Sequence, residues 1–106
     1  MRFAEQLRQL PPVSHLEGID LLDAQGALVA RIDNQPGQAG SLAVYNFLGQ
    51  HFGAITPLAA ATGLELYAEH TEDARAHPGK HPNIDRLLAL QVDGGRLTVR
   101  HRFRTD

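Results

Sequence analysis

The chain of 106 residues contains no cysteine. Disulfides, thiolate nucleophiles, cysteine-based zinc sites and iron–sulfur clusters are therefore excluded. A secreted domain of this size often needs covalent staples, so their absence points to a reducing compartment. Long apolar runs are missing too. No segment approaches the roughly 20 residues of a membrane-spanning helix. The first ten residues, Met1 to Leu10, have no apolar signal core. The expectation is a cytoplasmic protein without a membrane partner. The formal net charge is only −2, which selects no class of partner by itself.

What is present fits one domain over residues 1–106, with 42% apolar residues available for a core. The charge is unevenly placed. Residues 1–95 hold 6 basic and 11 acidic residues, whereas residues 96–106 hold 4 basic and 1 acidic. Such asymmetry can mark a binding surface.

Periodicity gives the order of elements. Phe3, Leu7 and Leu10 stand at i, i+4, i+7, the spacing of a short amphipathic helix ended by Pro11 and Pro12. The runs 15–23 and 27–33 flank an Asp23-Ala24-Gln25-Gly26 turn and read as a hairpin. A glycine-containing loop, 34–40, leads to Ser41 as an N-cap and a helix from Leu42 to Phe52, stopped by Gly53. Thr56-Pro57 starts another helix reaching about Ala76, with a break at Gly63 as one option. After Pro78-Gly79 a single helical turn at Asn83 is one reading, and a strand from near Arg86 is the other. Residues 89–92 read as strand either way. Asp93-Gly94-Gly95 then turns into a strand from Arg96 to Arg104. The order is α-β-β-α-α-β-β. The expected fold is α+β: a four-stranded, mainly antiparallel sheet built from two hairpins, with two to four helices on one face.

Three regions carry candidate chemistry. The first contains three of the six histidines, His70, His77 and His81. On a helix, Leu66, His70, Asp73 and His77 form a stripe separate from the apolar one. Imidazole and carboxylate suit zinc, iron, nickel or manganese, and also proton transfer near neutral pH. His70, Asp73 and His81 are the candidate ligands of a divalent metal, with Glu69, His77 and Asn83 behind them. The spacing matches no established metal motif. His70 and Asp73 are i, i+3, but His70 and His77 lie two turns apart, roughly 10 Å along the axis. The plainer reading is a solvated acidic helix.

The second region is the last strand. Arg96, Arg100, Arg102 and Arg104 alternate with Leu97, Val99, His101 and Phe103, so the arginines share one face. Such a row suits phosphate or an acidic protein surface. The arginine face has no interleaved aromatics, and the chain as a whole is acidic. Both features argue against nucleic acid. A solvent-exposed face or a charge-protected edge is the plainer account. The third region is the loop before the first long helix, where Gly37, Gly40 and Ser41 could seat an anion at the helix N-terminus. It has no P-loop lysine and no G-x-G-x-x-G.

The stretches Gly63-Leu64-Glu65-Leu66-Tyr67-Ala68-Glu69-His70 and Pro78 through Leu88, with Pro36-Gly37 and Gly40-Ser41-Leu42, resemble a family of short bacterial proteins of unknown function. The resemblance covers nearly the whole chain and implies a bacterial cytoplasmic origin. It brings no activity, cofactor or catalytic residue. Three readings follow. The first is a non-enzymatic binding module, expected as a homodimer, since symmetric dimers are the commonest oligomer. The second is a metal protein or metal-dependent enzyme using His70, Asp73 and His81. The third is an anion or nucleic-acid binder using the arginine strand.

Overall fold

A computed structural model describes residues 1–105. The elements are α1 (Phe3–Leu7), β1 (Leu16–Leu22), β2 (Leu28–Asp33), α2 (Ala39–Phe52), α3 (Pro57–Tyr67), α4 (Glu69–Ala76), α5 (Pro82–Asp93) and β3 (Thr98–Phe103). The sheet has three antiparallel strands in the order β2-β1-β3. The four-stranded sheet from two hairpins is therefore wrong, and five helices replace the expected two to four.

The error lies at residues 89–92, where a strand was expected; the helical turn read at Asn83 instead runs on through them as α5. Pro82 sits in the first turn of α5, where its missing N–H is harmless. Ile84, Leu87 and Leu90 recur at helical spacing and are buried. Gly94, at φ 75°, caps the helix rather than turning a hairpin. The last strand then has no neighbouring partner. It crosses to the far side of β1, pairing Leu21 with Val99, Ile19 with His101 and Leu16 with Phe103.

The β1–β2 hairpin is as expected. Asp23 accepts the N–H groups of Gln25 and Ala27, each at 2.9 Å, and Gly26 adopts φ 80°. Ile19, Leu21 and Ile32 are fully buried on the face covered by α2. His101 is half-buried there, its Nε2 2.8 Å from Asn46 Oδ1 on α2.

The opposite face holds the arginines. Asp20, at the centre of β1, is 1% exposed. Arg100 Nη2 and Arg102 Nε each bond it at 2.9 Å, and Arg31 Nε lies at 3.4 Å. Burial raises the Asp20 pKa, but the hydrogen bonds from Arg100 and Arg102 outweigh it and hold the carboxyl below its usual range. Arg102 also bonds Asp33 at 2.5 Å, and Glu17 lies 3.5 Å away. A Cβ on Gly18 would lie 2.5 Å from Arg102 Nη2 and 2.6 Å from the Ile32 carbonyl, so glycine makes room for this guanidinium.

Thr56 caps α3 by accepting the Ala59 N–H at 3.2 Å. The break after it comes at Ala68, with φ 52°, rather than at Gly63. Gly63 lies inside α3, where a Cβ would come within 2.8 Å of both Leu48 and Leu87. Its missing side chain lets α3 approach α2 and α5 closely. The Thr71 hydroxyl donates to the Leu64 carbonyl at 2.6 Å and ties α4 back across the break.

Candidate functional site

The kink at Ala68 turns α4 so that its polar stripe meets the segment leading into α5. Asp73 collects three partners there. His81 Nε2 lies 2.6 Å and Lys80 Nζ 2.9 Å from its Oδ2, and His77 Nε2 is 3.8 Å from Oδ1. The His81 hydrogen bond, then the one from Lys80, pull the Asp73 carboxyl down to about 2. His70 stands beside this pair, its ring centroid 5.8 Å from that of His81. Asn83 is fixed separately. Its side-chain oxygen accepts from Arg86 Nη1 at 2.7 Å, and its carbonyl accepts from the Tyr45 hydroxyl at 2.5 Å. Burial pushes the Tyr45 phenol up to about 12, so it remains a donor at neutral pH.

The start of α2 forms the facing wall. The helix begins at Ala39, with Gln38 at the cap position, so Ser41 is not the N-cap. The Gln38 side chain instead accepts the Asp33 N–H at 3.0 Å, and Gln35 accepts the N–H groups of Gln38 and Ala39. This tight turn starts the helix three residues before the expected Leu42, nearly one helical turn. Ser41 lies in the first turn, and its Oγ accepts the Tyr67 hydroxyl at 2.7 Å. Burial raises the Tyr67 pKa well above the ordinary phenol value.

The third wall is α1. Phe3 stacks on Tyr67 at 5.2 Å and meets His70 edge-on at 5.1 Å. Its N–H donates to Glu69 at 2.8 Å, and Arg2 lies 3.6 Å from the same carboxylate. The Phe3 N–H is the main cause of the depressed Glu69 pKa. Glu69 thus anchors the N-terminal helix.

These walls enclose a cavity of about 480 Å³. Phe3, Leu7 and Ile84 give it apolar surface, and Ser41, His70, Lys80, His81 and Asn83 give it polar groups. Gly37 and Gly40 also line it, and a Cβ on Gly40 would lie 3.2 Å from the Phe3 ring. The histidine region and the glycine loop, 30 residues apart in sequence, therefore meet in one place. Asp73, Glu69 and His77 stand behind the wall. Arg96, Arg100, Arg102 and Arg104 do not line the cavity. Arg104 Nε donates to the Ser14 carbonyl at 2.9 Å, and Arg96 is exposed.

The site brings in residues that the sequence did not single out. Lys80 lies between two that drew attention, Gly79 and His81, but one lysine in a loop carries no signal of its own. Phe3, Tyr45, Tyr67 and Arg86 read as core or surface until the fold joins them. Among the described residues, no group of three or more His, Asp or Glu side chains is arranged to hold a metal ion. Also among them, no helix is long and apolar enough to cross a membrane.

Comparison with curated proteins found no match, and comparison with solved structures found none. Residues 3–101 match a family described as uncharacterized proteins conserved in bacteria, DUF2322. The resemblance drawn from the glycine loop and the 63–88 region thus holds over nearly the whole chain, which belongs to that bacterial family.

Proposed function

We propose that the chain is a cytoplasmic binding module whose ligand is a small organic or inorganic oxyanion, seated in the cavity between α1, α2 and the α4–α5 junction. One observation carries this reading. In a chain with net charge −2, the cavity is lined by Lys80, His70 and His81 and by no carboxylate. Cationic and hydrogen-bonding side chains on an otherwise apolar wall are the usual dress of a small-molecule site. The first-turn N–H groups of α2 at Gly40 and Ser41 have no acceptor inside their own helix, and they add to the same positive potential. The cavity is large enough for a molecule of a few carbons with one charged end.

The metal reading of His70, Asp73 and His81 gains less. Asp73 turns its oxygens to His81 and Lys80, and the Lys80 ammonium repels a divalent cation at the same cavity. The arginine strand is less suited to free anions because Arg102 spans two carboxylates, Asp20 and Asp33, and Arg100 is turned to the buried Asp20, whereas Lys80 pairs with Asp73 and keeps two further N–H bonds.

Calorimetric titration with inorganic phosphate and with butyrate tests the proposal. At least one binds, and Lys80→Gln weakens it by about threefold to tenfold, the loss of one charge-assisted hydrogen bond. Arg100→Gln leaves the affinity unchanged. Loss of binding in the Arg100 variant and not in the Lys80 variant moves the site to the sheet and refutes the cavity.

A further inference from the structure

The polar groups of the cavity have assigned hydrogen-bonding roles, and donors dominate. Asp73 is ionised above about pH 2, so toward His81 it can only accept. In the neutral imidazole the proton therefore sits on Nε2, which faces Asp73 at 2.6 Å, and Nδ1 keeps its lone pair. The charged and titratable groups around this ring are Asp73 and His70 on α4, with His77 behind Asp73, and Lys80 in the preceding loop.

Arginine can only donate. Arg86, 2.7 Å from Asn83 Oδ1, thus turns the amide so that Nδ2 is its free end. Tyr67 donates to Ser41 Oγ, which leaves the serine proton free for another acceptor. Lys80 has three N–H bonds and gives one to Asp73. Ser41, Lys80 and Asn83 are therefore donors, and in the neutral His81 ring Nδ1 is an acceptor.

A bare oxyanion satisfies the donors but sets a lone pair against His81 Nδ1. We infer that the ligand is an oxyanion carrying one hydrogen-bond donor of its own, either a hydroxycarboxylate or a monoprotonated phosphate group, with that donor on His81 Nδ1. This inference rests on the anion-binding reading and narrows it to a ligand class. Asp73 acts as a positioning residue, because it fixes which ring nitrogen is free.

Two measurements on the full chain test it, both at about pH 8. Imidazole 15N spectroscopy reads the His81 tautomer without any ligand, and the expected form carries its proton on Nε2. Calorimetry then compares two matched pairs of probes. Inorganic phosphate carries an O–H at this pH and sulfate does not, and 3-hydroxybutyrate carries the hydroxyl that butyrate lacks. In whichever pair binds, the donor-bearing member binds about fivefold to tenfold tighter, the worth of one hydrogen bond. His81→Phe removes that preference. The pair that binds separates a phosphate source from a carboxylate one. A proton on Nδ1, or equal affinities within each pair, overturns this inference and leaves the anion reading standing. Failure of all four probes to bind overturns the anion reading and this inference with it.

Discussion

Replacing Tyr45 by phenylalanine removes one oxygen atom from the place where the core meets the cavity. Tyr45 is fully buried, and its ring carries the Arg86 guanidinium 5.6 Å above it. Phenylalanine keeps that packing, so the change isolates the hydroxyl. Two interactions are lost: the donation to the Asn83 carbonyl at 2.5 Å and the acceptance from Arg86 at 3.2 Å. Arg86 keeps its bond to Asn83 Oδ1, so its loss is small. The Asn83 carbonyl loses its tyrosine partner but keeps the Leu87 N–H inside α5, so the cost is that of one hydrogen bond, about 0.5–1.5 kcal/mol. The expected destabilisation is about 1 kcal/mol. In urea this moves the midpoint down by about 0.5 M at unchanged slope. The thermal midpoint falls by roughly 4–8 °C. Equilibrium unfolding followed by circular dichroism measures both. A loss below about 0.5 kcal/mol, the scale of a neutral surface change, would show that this hydroxyl does not hold Asn83, and the rigid cavity wall would go with it.

Three further outcomes follow from other parts of the fold. Asp20→Asn leaves Arg100, Arg31 and part of Arg102 without a counter-charge. The expected cost is about 2–3 kcal/mol in urea unfolding, below the full range for a buried pair because Arg31 and Arg100 are mostly exposed, and an unchanged midpoint contradicts it. Asp73, depressed from 3.8 to about 2 in the folded chain, stabilises the fold above its ordinary pKa and loses that contribution as pH falls from 3.8 toward 2. The wild-type advantage over Asp73→Asn should therefore be present at neutral pH and shrink across that interval, and a gap independent of pH refutes the assignment. The homodimer expected from the sequence has an open edge to use at β2, where Leu28 and Val29 are about half exposed. Sedimentation should show mass rising with concentration and Val29→Lys abolishing the rise, whereas a constant monomer mass removes the dimer.

Local signals carried the elements that rest on local chemistry. Asp23 and Gly26 announced the first hairpin, Thr56-Pro57 a helix start and Gly53 a helix stop. The strand from Thr98 to Phe103 alternates as read through His101, but Phe103, read on the apolar face, is exposed beside a register shift between Leu16 and Gly18. The strand's partner was not legible, because alternation fixes which residues share a face and says nothing about which strand lies beside it. Residues 89–92 are apolar enough for either state, and what decided for helix was the burial of Ile84, Leu87 and Leu90 against α3. The break at Ala68 had no sequence signal, since alanine is the best helix former. It is Thr71, bonding back to Leu64, that makes the kinked path fit. The site was half legible. His70, His81, Asn83, Gly37, Gly40 and Ser41 were each singled out, but as two unrelated regions. Their meeting depends on that kink, and Asp73 emerges as the residue that orients His81 from behind the wall.

The most direct test of the cavity as an anion site is backbone and histidine chemical-shift mapping of the full chain during titration with inorganic phosphate and then with 3-hydroxybutyrate. The account predicts saturable shifts confined to Gly40, Ser41, His70, Lys80, His81 and Asn83, with the sheet unaffected. Shifts centred on Arg100 and Arg102, or none at any residue up to saturating ligand, would contradict it.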